Sequence, residues 1–276
     1  GWNSTISKDF RYYIKPNFTF ARNKIKFMNE VDYGNEYRQK TGRRLGEHFV
    51  YVVDHFVYDQ AEADKLNAMN DGRGFQPWGE LHPGDVVYKD LNQDGKIDDY
   101  GDRTHMGFPR TPEIQFGIPF GIQYKGFDVS VMFQGSLNSS ILLNGAAVWD
   151  FPSYERDQYG KVKHMHLNRW TEATKDVATY PRLTYGAYEN NKNGNSSLFL
   201  YNANYIRLKN LEVGYSLPKN IIRFAGVQNV RFYVQGLNLL TFDSLDDVDM
   251  DPETKEGSGD WYPIQRVYNF GVEITY

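Results

Sequence analysis

An acidic segment at residues 90–102 has the residue types and spacing of a calcium-binding loop. Its sequence is DLNQDGKIDDYGD, with Asp90, Asn92 and Asp94 at alternate positions and Gly95 directly after them. Alternate oxygen-bearing side chains can surround one hard cation, while a glycine at the sixth position permits a sharp turn. The segment therefore predicts a bound divalent cation, calcium first and magnesium as the alternative, that holds a loop in place.

The predicted ligands all come from this one segment. They are the side chains of Asp90, Asn92 and Asp94, the main-chain carbonyl of Lys96, and a closing carboxylate from Asp98, Asp99 or Asp102. The pattern departs from a regular calcium loop at its twelfth position, where Gly101 replaces the usual bidentate acid. A solvated acidic turn is the alternative interpretation.

Other polar motifs give weaker indications of chemistry. The acidic run at 243–251 lacks ordered ligand spacing, and His164 with His166 lacks a third zinc ligand or an HExxH arrangement. There is no GxSxG motif, no P-loop and no dinucleotide-binding fingerprint. We therefore predict that the chain is not an enzyme.

Several aromatic residues fall in segments without regular periodicity. Exposed aromatic rings there could stack on sugar rings or anchor a partner protein. The alternative is that the rings pack the loops against one another. The candidate contacts are Trp78, Trp149, Tyr154, Trp170 and Trp261.

Two neighbouring segments alternate apolar and polar residues almost without interruption. In residues 114–124 and 127–135, one face is Ile, Phe, Val or Tyr and the other is mostly glycine or polar. A period of two predicts strands, and about 9–11 residues is the length of a tilted strand that crosses a bilayer. The pattern favours membrane-barrel strands, apolar towards lipid and polar towards the lumen. A long hairpin in a soluble sandwich is the alternative.

Weaker alternation predicts further strands at 10–21, 24–33, 205–216, 230–240 and 268–276. Pro16 and the phase change near Asn210 predict two bulges. Short joins then alternate with long insertions at 34–111, 137–204 and 241–263, the first of which holds a possible short hairpin at 49–58 and a helix-like segment at 59–70. Long loops on one side of a sheet and short turns on the other are typical of outer-membrane barrels. Seven strands cannot close in lipid, so we expect the other strands to come from additional sequence.

Composition restricts the function classes. The 276 residues carry a net charge of −4, which gives no reason to expect nucleic acid, and they include no cysteine for disulfides or thiolate metal sites. Aromatic residues make up 16%, which suits the girdles of a barrel. No run approaches 18 apolar residues, so no transmembrane helix is expected. Because the chain opens on Gly1 rather than methionine, we expect it to be a piece of a longer precursor.

Seven segments together resemble the SusC/RagA-type TonB-dependent transporters of Bacteroidetes outer membranes. They occur in that family's order and span nearly the whole chain, and DDYGDRT departs from the usual pattern by one extra residue. The segments are NFTFARNKI (17–25), HPGDVVYKDLNQDGKIDDYGDRT (82–104), PEIQFGIPFGIQYKGFDVSVMFQG (112–135), NRWTEATKDVATYPRL (168–183), NANYIRLKNLEVGYSLPKN (202–220), VQGLNLLTF (234–242) with DPE (251–253), and YNFGVEITY (268–276).

The resemblance implies an all-β fold, the last seven strands of a 22-stranded transmembrane antiparallel β-barrel with long extracellular loops. It also implies location in the bacterial outer membrane and import of oligosaccharides or peptides beneath a SusD-like surface lipoprotein. A plug domain and the contact with TonB would lie in the missing N-terminal part. The last strand would be the family's assembly signal, through Phe270, Val272, Ile274 and Tyr276.

The sequence is also compatible with two other function classes. One is a secreted, calcium-stabilised β-domain that binds glycan, and the other is an enzyme on a β-scaffold. The charge-free face of the central hairpin disfavours the first, and the missing catalytic constellation disfavours the second.

Overall fold

In the computed structural model the described residues are 1–32, 34–151, 162–186, 188–222, 226–254, 257–259 and 261–276. The chain is mostly β-structure with a few short helices. The strands are β1 (Trp2–Ser7), β2 (Phe10–Ile14), β3 (Asn17–Phe20), β4 (His48–Tyr51), β5 (Val53–Phe56), β6 (Val86–Tyr88), β7 (Arg103–Met106), β8 (Ile114–Tyr124), β9 (Phe127–Leu137), β10 (Ser140–Leu142), β11 (Leu200–Asn202), β12 (Tyr205–Ser216), β13 (Asn229–Phe242) and β14 (Val267–Thr275). The helices are α1 (Gln60–Asn67), α2 (Met69–Gly72), α3 (Glu189–Lys192) and α4 (Lys219–Ile222).

The alternating segments form one antiparallel sheet in the order β1-β2-β8-β9-β12-β13-β14, with β3 also paired to β8. β2 and β3 are one pass of the chain, interrupted at Pro16 as predicted, since proline offers no N–H to the ladder. Beside the interruption, the Lys15 N–H still donates to the Pro119 carbonyl at 2.9 Å. The predicted phase change is also confirmed, because the pairing of β12 shifts register between Leu208 and Asn210.

The first predicted hairpin is wrong. β1 pairs with β2 around Lys8 and Asp9, whereas residues 24–32 form neither a helix nor a strand. The main chain of Ile25 instead bonds to Arg43 and Gly42 in the following loop, each at 2.8 Å. Residues 24–33 alternate weakly, and β1 occupies the edge of β2 with which a returning strand would have paired.

The central hairpin between β8 and β9 turns through Lys125 and Gly126. Both residues have positive φ, 46° and 88°, which is the geometry of the two-residue turns that match the twist of paired strands. A side chain at Gly126 would also meet the Ser216 carbonyl at 2.9 Å. The turn therefore requires glycine at this position and fixes the register of the long hairpin.

Three long segments join the sheet strands at one end, and we call them loop 1 (21–113), loop 2 (138–204) and loop 3 (243–266). The predicted hairpin at 49–58 is wrong, because β4 pairs with β7 and β5 pairs with β6. The predicted helix near 59–70 is confirmed in part by α1, whose N-cap Asp59 accepts a hydrogen bond from the Glu62 N–H at 2.9 Å. None of the helices in the described part of the chain is long and apolar enough to cross a membrane.

The hydrophobic core lies in the loops rather than in the sheet. Loops 2 and 3 share one apolar cluster that includes Leu143, Tyr180, Phe199, Leu245 and Val248. Two further clusters lie in loop 1, and Leu198 of loop 2 packs against one of them. Backbone hydrogen bonds link the loops too, for example from Tyr51 to Asn195 at 2.8 Å. We call this packed unit the loop assembly.

Candidate functional site: the polar face of the sheet and the loop assembly

The two faces of the sheet have opposite chemistry. On one face large apolar side chains are exposed, including Phe232 at 48%, Val234 at 47% and Phe270 at 79%. The other face carries glutamine, serine and charged residues, such as Gln115, Gln134 and Glu212, which the strand registers place on the same side. A face of exposed valine and phenylalanine is unfavourable in water, so this sheet is suited to lipid on one side and water on the other.

A charged cluster occupies the polar face near the short turns. The Arg231 guanidinium bonds to both carboxylate oxygens of Asp128, to Glu212 Oε1 at 2.6 Å, and lies 3.8 Å from Glu273 Oε2. Three carboxylates thus surround one guanidinium beside an open recess of about 670 Å³. Formal charges leave this end of the polar face negative.

Glycines on the polar face make room for long side chains. A Cβ at Gly214 would overlap the Arg231 guanidinium, and one at Gly271 would overlap the Tyr233 ring. These side chains therefore lie flat along the sheet instead of projecting into the space beside it. The polar face is consequently open enough for a large solute or a folded segment.

At the loop end of the sheet, a buried arginine fastens loop 3 to the polar face. Arg207 of β12 is fully buried, and its Nη2 donates to Asp251 Oδ2 at 2.6 Å. Its Nη1 contacts Glu253 Oε2, and its Nε donates to Thr241 Oγ1 at 2.9 Å. The register shift after Leu208 places Arg207 opposite Gln134, on the polar face. Loop 3 is therefore held inward over the polar face.

Beneath this contact is a smaller cavity of about 330 Å³ between the polar face and the loops. Its walls combine side chains from β8 and β9 with residues from the bases of all three loops. They include Arg110, Gln115, Gln134, Ser136, Tyr205 and Glu253. Almost every group offers a hydrogen bond, which suits a polar solute.

A buried polar network joins loops 1 and 2. Asp85 is fully buried, and both its oxygens accept from Arg182, at 2.5 and 3.2 Å. Tyr188 and Asn191 also donate to Asp85, each at 2.8 Å. Burial and the neighbouring Asp85 carboxylate raise the pKa of Tyr188 to about 12, so its hydroxyl stays a donor at neutral pH. The network fixes the two loops relative to each other.

The predicted calcium loop is an ordered turn in the structure. Asp90 lies at its centre, with Oδ1 accepting the Gln93 N–H at 2.6 Å and Oδ2 accepting the Gly95 N–H at 2.8 Å. Asn92 Oδ1 accepts the Asp94 N–H at 3.2 Å, and Asp94 Oδ1 accepts the Lys96 N–H at 3.1 Å. The first half of the loop therefore has its oxygen-bearing side chains turned onto its own backbone.

The candidate closing carboxylates have separate partners. Asp102 is fully buried and accepts from the Leu91 and Asp98 N–H groups, and burial raises its pKa. Asp98 lies 3.0 Å from Lys96 Nζ, and Asp99 accepts from the Tyr51 hydroxyl at 2.5 Å. Among the described residues, no three acidic or histidine side chains are arranged to hold a metal ion. A bound calcium ion stays a prediction.

Most of the described loop aromatics pack inside the loop assembly. Trp78 contacts the rings of Tyr51 and Tyr88 at centroid distances of 5.0 and 5.5 Å, and Trp149 packs on the cluster of loops 2 and 3. Trp170 covers Gly84, where a Cβ would lie 2.6 Å from the indole. Trp261 is 48% exposed and stays a candidate contact residue. Tyr154 lies outside the described residues.

The predicted assembly-signal residues share the apolar face of β14. Their exposed fractions run from 54% at Val272 to 89% at Tyr276, with Phe270 and Ile274 between them. β14 pairs with β13, and Tyr233 of β13 lies opposite Gly271. An exposed aromatic strand at this edge agrees with the predicted role, which itself stays a prediction.

Sequence reasoning missed the groups that join the loops to the sheet and to one another. Arg207, Arg110 and Asp85 did not stand out, because single charged residues are common in a chain with this composition. For Arg207 a signal was available, since a charge within an alternating strand is unusual. Its partners lie in the DPE segment, which the resemblance had already singled out.

Curated relatives match the chain in sequence. TonB-dependent receptor P3 of Formosa agariphila is 33% identical over 215 residues, which cover 72% of this chain and 20% of the relative. TonB-dependent receptor SusC of Bacteroides thetaiotaomicron is 23% identical over 282 residues, 98% of this chain and 25% of the relative. The chain thus spans about a fifth to a quarter of the length of these relatives. No family model matches the chain.

Solved structures match the fold. The RagAB peptide transporter superposes with a TM-score of 0.67 at 21% identity, over 99% of this chain and 28% of that chain. The RagAB peptide importer in its open-open state gives a TM-score of 0.68, also at 21% identity, over 99% of this chain and 27% of that chain. The fold of the chain is therefore that of part of a TonB-dependent transporter barrel.

Proposed function

Because the chain is related in sequence and in fold to the SusC-type TonB-dependent receptors, we propose that it forms part of an outer-membrane nutrient importer. In this proposal the apolar face of the sheet contacts lipid and the polar face lines the import path. The single observation that carries it is the sheet with one exposed apolar face and one polar face, because a water-soluble domain would cover that apolar surface.

The loop assembly has a separate role in the proposal. It forms the extracellular rim, on which a SusD-like surface lipoprotein closes, and the exposed Trp261 is a candidate contact for that partner. A peptide or an oligosaccharide is the proposed cargo, released inward through a plug that TonB operates. The apolar clusters that tie the loops together support this role, because a rim that receives a lid must keep its shape.

We further propose that calcium binds the 90–102 loop and stabilises it without taking part in transport. The donor chemistry supports this, since Asp90, Asn92 and Asp94 are close together and none of them has a basic side chain as partner among the described contacts. Hard oxygen donors at this spacing suit calcium, with magnesium as the alternative.

The import proposal is tested with the full-length protein that contains this chain. We expect it to need detergent for solubility, to copurify with a surface lipoprotein, and to support uptake of labelled peptide or oligosaccharide pools. Inactivation of TonB should abolish that uptake. A full-length product that is soluble without detergent would contradict the proposal and favour a secreted β-domain that binds glycan.

A further inference from the structure

Among the described residues, the guanidinium in the 330 Å³ cavity beneath loop 3 has no acidic partner. Arg110 is half-buried at the base of loop 1, and within the described chain its two Nη atoms reach only the Pro252 carbonyl, at 3.4 and 3.5 Å. Both distances are at the long limit for a hydrogen bond. In the part of the chain that the structure describes, no carboxylate lies within ion-pair distance of Arg110. Burial, uncompensated by an acid, lowers the pKa of Arg110.

The acidic residues near the cavity are already paired with other cations. Arg207 binds Asp251 and Glu253, and Lys209 Nζ lies 3.9 Å from Glu253 Oε2. These two cations balance the two carboxylates, so the two carboxylates do not neutralise the positive charge of Arg110. A half-buried charge of this kind is unfavourable unless an opposite charge reaches it.

The main chain around Arg110 is held in place. Ser139 Oγ donates to the Arg110 carbonyl at 2.8 Å, which ties the base of loop 1 to the start of loop 2. The rest of the lining is mostly polar, including Gln115, Gln134 and the Tyr205 hydroxyl, and its carboxylate, Glu253, is paired with Arg207. Gln134 Nε2 donates to that hydroxyl at 3.1 Å. Within the described residues, the cavity therefore offers one cation without a paired acid, in a hydrogen-bonding wall whose carboxylate is already paired.

We propose that this cavity is a carboxylate-binding subsite on the import path, in which Arg110 pairs with a carboxylate of the cargo. The inference rests on the proposed import function and adds to it a class of cargo. A planar guanidinium can accept a carboxylate with two parallel hydrogen bonds, and a charged pair of this kind is stronger than a neutral one. The carboxylate could come from the end or a side chain of a peptide, or from a uronic acid in an oligosaccharide.

The test uses the full-length transporter in detergent with its partner lipoprotein. It is incubated with an equimolar mixture of a peptide pool and the same pool methyl-esterified with an isotope label. A parallel sample receives oligogalacturonides mixed with their methyl esters. Mass spectrometry of the retained material gives the ratio of free acid to ester, which does not depend on how much of the protein is folded.

We expect the wild-type protein to retain the free acid over the ester by about tenfold or more in one of the two mixtures. Arg110→Gln should bring that ratio to about one, because glutamine keeps hydrogen-bonding capacity and removes the charge. Arg110→Lys should keep part of the preference. Arg73→Gln removes an exposed arginine elsewhere in loop 1 and should leave the ratio unchanged.

The mixture that shows the preference identifies the source of the carboxylate. Retention of acid and ester in equal amounts by the wild-type protein would overturn the subsite and leave the import proposal in place. A preference that survives Arg110→Gln would also overturn it. Retention of neither mixture would overturn the subsite and contradict peptide import, while import of neutral oligosaccharides is tested separately by the uptake experiment.

Discussion

Large apolar side chains are exposed on one face of the sheet but buried in the loop assembly. Phe232 and Val234 of β13 are about half exposed, at 48% and 47%, whereas Phe199 and Leu245 of the loops are completely buried. The difference indicates two surroundings for one chain. In the proposed importer the loops fold in water around a core, while the strands leave their apolar groups for lipid, where exposure costs nothing.

Polar groups follow the same division. In the loops they form a buried network around Asp85, in which the side-chain partners Arg182, Tyr188 and Asn191 come from a distant part of the sequence. On the sheet they line one open face, and their interactions are mostly cross-strand, as between Arg231 and Asp128. Truncations and charge substitutions should therefore change the stability of the two regions by different amounts.

Truncation of a core aromatic should separate the two regions most clearly. Phe199→Ala should destabilise the loop assembly by about 3–5 kcal/mol, because it empties a fully buried site. Phe232→Ala on the apolar face should leave the loops unaffected. Hydrogen exchange of the loop amides in the full-length protein measures the difference. Equal protection in both variants would show that the loops are not held by this core.

A charge on the sheet should reveal which face contacts lipid. Val234→Arg should cost about 2–4 kcal/mol if it lies near the bilayer midplane, because an arginine on the lipid face must leave water. Gln235→Arg, one position along β13, faces the polar side and should cost much less. Urea titration of the folded protein in lipid vesicles compares them, and equal costs would argue against the assignment of faces.

Calcium should stabilise the loop assembly if the 90–102 loop binds it. At free calcium about 100 times the dissociation constant, the gain should be about 2.7 kcal/mol. Asp90→Asn should remove most of it, whereas Asp71→Asn, an exposed acid outside the loop, should not. Thermal unfolding of the full-length protein with calcium and with chelator measures the shift. No shift in the wild type would favour a solvated acidic turn.

Acid should weaken the loop assembly through its buried histidines. His166 accepts the Lys163 N–H at 2.7 Å and contacts the Val148 carbonyl at 3.0 Å, and burial lowers its pKa. His166 therefore binds a proton more readily in the unfolded chain than in the folded loops. The free energy of unfolding consequently decreases as pH falls below about 6.5. His48 acts in the same direction, since burial lowers its pKa as well.

One exposed histidine opposes this trend. Burial lowers the pKa of His55, but hydrogen bonds to Asp54 and Glu62 raise it overall, so its contribution is lost as pH rises. His166→Gln should flatten the acid dependence of loop hydrogen exchange, whereas His164→Gln, an exposed neighbour, should not. An unchanged slope in His166→Gln would assign the acid sensitivity to other groups.

The long strands could be predicted from the sequence because their information is local. Alternation over ten residues located β8 in full and β9 except for its last two residues, and the bulges at Pro16 and near Asn210 follow from a missing N–H and a phase change. β1 was missed because its polar residues hide the alternation. Residues 24–33 were misread as a strand, since pairing depends on a neighbour that the sequence of one segment does not reveal.

The loop contacts could not be predicted because they join distant residues. Asp85 meets Arg182 across 97 positions, and Arg207 meets Asp251 across 44. No periodicity marks such pairs, and each residue alone resembles an ordinary surface charge. The calcium site could be proposed from the sequence because its candidate ligands lie within 13 consecutive residues, although their spacing could not show that Asp102 is buried on backbone amides.

Site-directed spin labelling of β14 tests most directly whether the apolar face of the sheet contacts lipid. The 276 residues contain no cysteine, so single cysteines at 269–274 give unique labels within this part of the full-length protein. In lipid vesicles, we expect oxygen to reach labels at Phe270, Val272 and Ile274, and a water-soluble nickel complex to reach Asn269, Gly271 and Glu273. Equal access of the nickel complex to both sets would contradict the account.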